Sequence, residues 1–100
     1  MKELSKHKKE IERLCELYNV KSLYAFGSVV TDKFNAKSDI DFIVDFKHIQ
    51  IKDYANNYYA LKFSLQEMLQ RSVDLLEEKA IKNPYFIQSI KSQRQLIYGN

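Results

Sequence analysis

Turn-forming and cross-linking residues are scarce in this sequence: two Gly, one Pro and one Cys among 100 residues, with no Trp. So little Gly and Pro excludes collagen-like and low-complexity chains, and a 45% hydrophobic content excludes a disordered one. The lone Cys15 cannot close an intramolecular disulfide, which excludes a disulfide-stapled secreted scaffold. No apolar run approaches the roughly 18 residues that span a bilayer. The stretch from Met1 to Lys9 lacks the apolar centre of a signal peptide. A reducing cytoplasm, with no membrane partner, is the expected setting. An excess of one charge is also missing. Residues 1–50 carry 9 basic and 8 acidic side chains, residues 51–100 carry 7 and 5, and the net charge is +3. Without a basic stripe, direct nucleic-acid binding is not expected. Lys6, Lys8 and Lys9 read as the wet side of a helix. The length suits one domain over residues 1–100, large enough to bury a core.

What is present is alternating periodicity. Leu4, Ile11, Leu14, Cys15, Leu17 and Tyr18 fall near one stripe, which predicts a helix from Leu4 to about Tyr18 that ends at Asn19. Ser22 to Phe26 reads as a buried strand that stops at Gly27. Val29 to Lys37 is polar and irregular, with room for one helical turn at its start. Ile40 to Phe46, rich in β-branched and aromatic residues, predicts the second strand. Tyr54, Tyr58, Leu61, Leu65, Met68 and Leu69 repeat at helical spacing and predict a helix over 51–69. Ser72 to Leu76 is a third strand. Asn83-Pro84 opens a last helix to about Gln93, and Leu96-Ile97-Tyr98 forms a short extended tail. The order α-β-β-α-β-α predicts a small α/β (α+β) domain.

The chemistry concentrates in Ser38-Asp39-Ile40-Asp41-Phe42. A side-chain period of two puts Asp39 and Asp41 on one face and Ile40, Phe42 and Val44 on the other. The two carboxylates then stand about 7 Å apart at Cβ. Like charges this close call for a cation, and oxygen ligands of this kind suit Mg²⁺. The plainer reading places both acids at an exposed strand start. Asp74 lies inside the apolar run Val73-Asp74-Leu75-Leu76, where a lone charge is costly without a partner. If that strand lies beside the second, Asp74 joins Asp39 and Asp41, and three acids suffice to hold two divalent ions for phosphoryl or nucleotidyl transfer. The alternative is a wet face of an edge strand. Gly27-Ser28 supplies a tight turn, backbone N–H groups and a hydroxyl suited to phosphate, though an ordinary turn would look the same.

Gly27-Ser28, ten intervening residues and Asp39-Ile40-Asp41 resemble the G-S-x10-D-x-D signature of the DNA polymerase β-like nucleotidyltransferases. Leu23-Tyr24-Ala25-Phe26-Gly27-Ser28, Arg71-Ser72-Val73-Asp74-Leu75-Leu76, Lys79-Ala80 and Gln95-Leu96-Ile97-Tyr98-Gly99 are most similar to its minimal members, the MNT proteins. The resemblance runs from about Lys21 onward. It implies a polymerase β-like core with a mixed sheet flanked by helices. Asp39, Asp41 and Asp74 would be the catalytic acids and metal ligands, for two Mg²⁺ ions. Gly27 and Ser28 would bind the nucleotide. It also implies an antitoxin that transfers AMP from ATP to a tyrosine of a helical HEPN toxin, in an oligomeric pairing with that protein.

One departure stands out. Where relatives continue Gly-Ser-x-Ala-Arg-Gly, this chain has Gly27-Ser28-Val29-Val30-Thr31-Asp32, and only Lys33 or Lys37 can replace the missing cation. A second reading therefore stays open, a non-catalytic antitoxin that neutralises its HEPN partner by occlusion. Cys15 reads as core. His7 and His48 lack ligand spacing for zinc. Tyr59 falls off the helical stripe, as packing at the helix margin or as part of a partner surface.

Overall fold

A computed structural model describes residues 2–31, 35 and 37–99. It contains four helices and four strands: α1 (Lys2–Ser5), α2 (Lys8–Leu17), β1 (Val20–Phe26), β2 (Ile40–Phe46), α3 (Ile51–Leu69), β3 (Val73–Glu77), α4 (Pro84–Gln93) and β4 (Gln95–Gly99). Two 3₁₀ turns, Gly27–Val30 and Glu78–Ala80, follow β1 and β3.

The single leading helix expected from the pattern is broken in two. The His7 N–H bonds to the Leu4 carbonyl three residues back, at 3.1 Å, so the first helix closes on a tightened turn before α2 begins. Leu4 and Ile11 are nevertheless both buried. Asn19 takes φ +62° just past α2, the left-handed conformation a short polar side chain tolerates. Asn83 caps α4 by accepting from the N–H groups of Tyr85 and Phe86, at 2.9 and 3.2 Å, and Pro84 fills the first helical position.

The four strands form one mixed sheet in the order β3-β2-β1-β4. β1 pairs antiparallel with β2 and β4, whereas β3 runs parallel to β2, with α3 as the crossover. The tail expected around Leu96–Tyr98 is thus a full edge strand. The register places Ile40, Phe42 and Val44 beside Val73, Leu75, Leu23 and Ala25 on one face. Ile11 and Cys15 of α2 and Leu61, Leu65 and Leu69 of α3 join the same buried cluster. The opposite face carries Asp41, Ile43 and Asp45. There α4 contributes Ile87 and Ile90, which line a cavity of about 190 Å³ together with Ile43, Ile81 and Arg94. Arg94 fastens this side, with Nη1 2.9 Å from Glu78 Oε1 and the guanidinium 3.8 Å over the Tyr24 ring.

Candidate active site

The site forms where β1 ends and β2 begins. Antiparallel pairing sets Phe26 opposite Asp41, so the chain leaves β1 directly over that carboxylate. Gly27 follows at φ +75°, and any Cβ there would run into Asp41 Oδ2. Both the backbone angle and the close approach demand glycine at this position. The chain then turns as a 3₁₀ helix over Gly27–Val30. Thr31 closes it, with its N–H and Oγ1 both donating to the Ser28 carbonyl at 3.0 and 2.9 Å.

Asp41 lies half-buried on β2, and the parallel register sets Asp74 of β3 directly beside it. Neighbouring strands stand about 4.8 Å apart, so the two carboxyl groups meet. Burial pushes the Asp41 carboxyl up to about 6, and a hydrogen bond to Asp74, the Asp74 charge and then the Asp39 charge push the same way. Asp41 therefore holds a proton far more readily than an isolated aspartate does. Asp74 itself is exposed, at the open side of the pair.

Asp39 sits differently from the strand-face pairing expected of it. β2 begins only at Ile40, so Asp39 belongs to the preceding loop, is exposed, and acts on Asp41 through charge alone. The loop is pinned by Arg71, whose Nη1 donates to the carbonyls of Asn35 and Ser38 at 2.9 and 3.0 Å. Sequence reasoning gave Arg71 no role of its own. Its signal was there in a cation just ahead of the β3 acid, but its target lies 33 to 36 residues away. Of the two substitute cations, Lys37 is exposed beside this loop, and Lys33 lies outside the described residues.

Among the described residues, no three His, Cys, Asp or Glu side chains converge closely enough to hold a metal by themselves. The donors present still suit one kind of ion. Two carboxylates on adjacent strand positions and a third nearby offer hard oxygen ligands only, with mutual repulsion for a cation to relieve. That is the partial shell a Mg²⁺ ion completes with water and substrate phosphates.

The remaining polar clusters are structural. Asp45, on the same face of β2, is buried and has Lys79 Nζ 3.5 Å from its Oδ1. Cys15 is wholly buried, and burial, then Glu12 and Glu16, push its thiol up to about 12. No described helix is long and apolar enough to cross a membrane.

A family profile described as nucleotidyltransferase domain matches residues 7–97. One relative from Methanocaldococcus jannaschii, provisionally named a protein adenylyltransferase, is 41% identical over 95 residues, covering 95% of this chain and 89% of its own. Another protein of that organism with the same provisional name is 37% identical over an equal span. Among solved structures, one provisionally named a minimal nucleotidyltransferase superimposes with a TM-score of 0.77 at 22% identity, covering 92% of this chain and 90% of that one. The MNT antitoxin in complex with a tri-AMPylated HEPN toxin of Shewanella oneidensis gives 0.68 at 19% identity, over 97% and 73%. At those identities the structures speak for the fold, and the profile and the archaeal relatives speak for descent. On both grounds this chain belongs to the nucleotidyltransferase domain family of enzymes and has the compact polymerase β-like fold of the family's minimal members.

Proposed function

We propose that this protein is a single-domain, cytoplasmic adenylyltransferase that moves AMP from ATP to a tyrosine of a HEPN toxin and so acts as its antitoxin. The observation that carries this reading is the Asp41–Asp74 pair set directly against the Gly27 turn. It brings the acids against the turn that carries Gly27 and Ser28. The names of the archaeal relatives support protein as the acceptor class. The HEPN–MNT complex supports the partner and the transferred group.

In this reading Gly27 and Ser28 hold the triphosphate through N–H and hydroxyl donors. Asp39 and Asp41, with Asp74, would hold two Mg²⁺ ions. Those ions, when bound, neutralise the acids and draw electron density from the phosphates. Asp74 faces the open side, where the acceptor enters. The tyrosine oxygen bonds to the α-phosphorus, the bond from that phosphorus to the bridging oxygen of the β-phosphate breaks, and pyrophosphate leaves. Asp74 takes the hydroxyl proton.

The absent cation after Gly27-Ser28 favours a second reading, occlusion of the toxin without transfer. One experiment separates the two. The protein is incubated with Mg²⁺, α-labelled ATP and the helical protein encoded beside it, and the products are mapped by mass spectrometry. Label on a tyrosine of the neighbour is the expected result. Full neutralisation without label would establish occlusion instead.

A further inference from the structure

β3 is an edge strand, and edge strands leave alternate backbone groups unpaired. The Ser72 carbonyl accepts from the Ile40 N–H at 3.0 Å, so residues 72, 74 and 76 turn their backbone groups toward β2. Those of Val73 and Leu75 turn outward. These two residues flank Asp74, and α3 meets a backbone group of each. The Val73 N–H donates to Gln66 Oε1 at 3.1 Å, and the Tyr58 hydroxyl donates to the Leu75 carbonyl. Tyr58 and Gln66 stand eight residues apart, a little over two turns, on one side of the helix.

From this geometry we infer that Tyr58 and Gln66 are positioning residues, which clamp the backbone on either side of Asp74 and hold its carboxylate in register with Asp41. The inference rests on the transfer reading above, because it assigns Asp74 the acceptor side of that reaction. The clamp is needed because β3 has a neighbour on one side only. Hydrogen bonds to β2 fix the strand's height in the sheet but leave its outer edge free to lift. A shift of about 1 Å at a reacting group is enough to cost orders of magnitude in rate. The Tyr58 hydroxyl and the Gln66 amide oxygen are both spent on β3 backbone, so the clamp governs the chemical step and leaves nucleotide binding alone. The half-buried Tyr58 ring packs against the core beside Tyr54, which ties the clamp to the body of the fold.

The test uses Tyr58→Phe, which deletes one hydroxyl, and Gln66→Met, which keeps the length and removes the acceptor. Gln66→Glu restores an acceptor oxygen and serves as the rescue. Each variant is assayed for transfer to the partner toxin, and backbone amide exchange is followed in the protein alone. Tyr58→Phe and Gln66→Met are expected to lower kcat about 10-fold with the KM for ATP unchanged. Amide exchange at Asp74 and Leu76 is expected to accelerate at least 10-fold, while Phe42 and Leu61 keep their protection. Gln66→Glu is expected to recover most of both. Unchanged exchange at Asp74 in both variants would overturn the clamp, as would a rise in KM at constant kcat or a failure of Gln66→Glu to rescue. A wild-type protein that transfers nothing would remove the transfer reading and with it the catalytic role, while the exchange data would still decide whether the clamp exists.

Discussion

Asp41 and Asp74 lie opposite each other across a parallel strand pair, so two carboxyl groups crowd one place in the sheet. Burial on β2 first, then Asp74 and the Asp39 charge, push the Asp41 carboxyl up to about 6. The pair is strained without a cation. The strain has a thermodynamic reading: between about pH 4 and pH 6 the folded protein binds more protons than the unfolded chain. Stability conferred by the protonated Asp41 carboxyl is therefore full below pH 4 and is lost as the pH rises through 6. The half-buried carboxyl still reaches water, so screening limits the effect to about 1 kcal/mol. Thermal melts of the metal-free protein across this range are expected to show a falling Tm, and an unchanged Tm would sink the raised proton affinity of Asp41.

Asp41→Asn keeps the shape and removes the conflict. Without metal, the variant is expected to be more stable than wild type at pH 7, by about 0.5–2 kcal/mol. It should also lose most of the pH dependence just described. A loss of stability instead would give Asp41 a structural hydrogen-bonding role. The same substitution, and Asp39→Asn, should each lower transfer at least 10²-fold, because in the proposed reaction each would remove a charged ligand of the metal. Steady-state rates with Mg²⁺ and ATP check this, and near-normal transfer by either variant would contradict the assigned roles.

Gly27 gives a sharper handle on the mouth. Gly27→Ala forces a side chain to φ +75° and drives its Cβ against Asp41 Oδ2. The backbone alone should cost about 1–2 kcal/mol. In an Asp41→Ala background the collision is gone and only the backbone cost remains. A double-mutant cycle on denaturant midpoints is expected to show that coupling. Additive single effects would mean the two residues do not touch.

Much of the fold was legible because its signals are local. β2 and α3 carry dense β-branched or helical periodicity, and both bounds agree with the pattern. Asn83-Pro84 announced α4 through capping chemistry that needs no tertiary context. β4 has the sequence of a tail because Gln95–Gly99 is short, and only pairing with β1 makes it a strand. The site divided in the same way. Gly27 and Asp41 were visible by spacing. That Asp74, and not Asp39, is the closest partner of Asp41 depends on a parallel register set by a helix 19 residues long. Arg71, Tyr58 and Gln66 were opaque for the same reason, since each acts on backbone that folding alone brings near.

Cys15 offers a probe of opening. It is wholly buried, and its thiol is pushed up to about 12. The thiolate is the reactive form, so modification must wait for the α2 side of the core to open. A disulfide reagent at pH 8 is expected to label native protein at least about 10³-fold more slowly than unfolded protein. Comparable rates would mean that α2 does not pack as described.

Ligand binding closes the argument about the acids. Wild type should gain stability from Mg-ATP by mass action, about 2.7 kcal/mol at one hundred times Kd, in addition to relief of the Asp41–Asp74 repulsion. Asp41→Asn has less repulsion to relieve and one ligand fewer, so its Tm should hardly move. The stability order of the two proteins is therefore expected to invert: the variant melts higher when both are metal-free, and wild type melts higher with Mg-ATP. ATP with a chelator should leave the first order in place, because the triphosphate then adds negative charge to an already crowded mouth. An order that stays the same in Mg-ATP would mean that the acids do not form a working nucleotide site in the isolated protein.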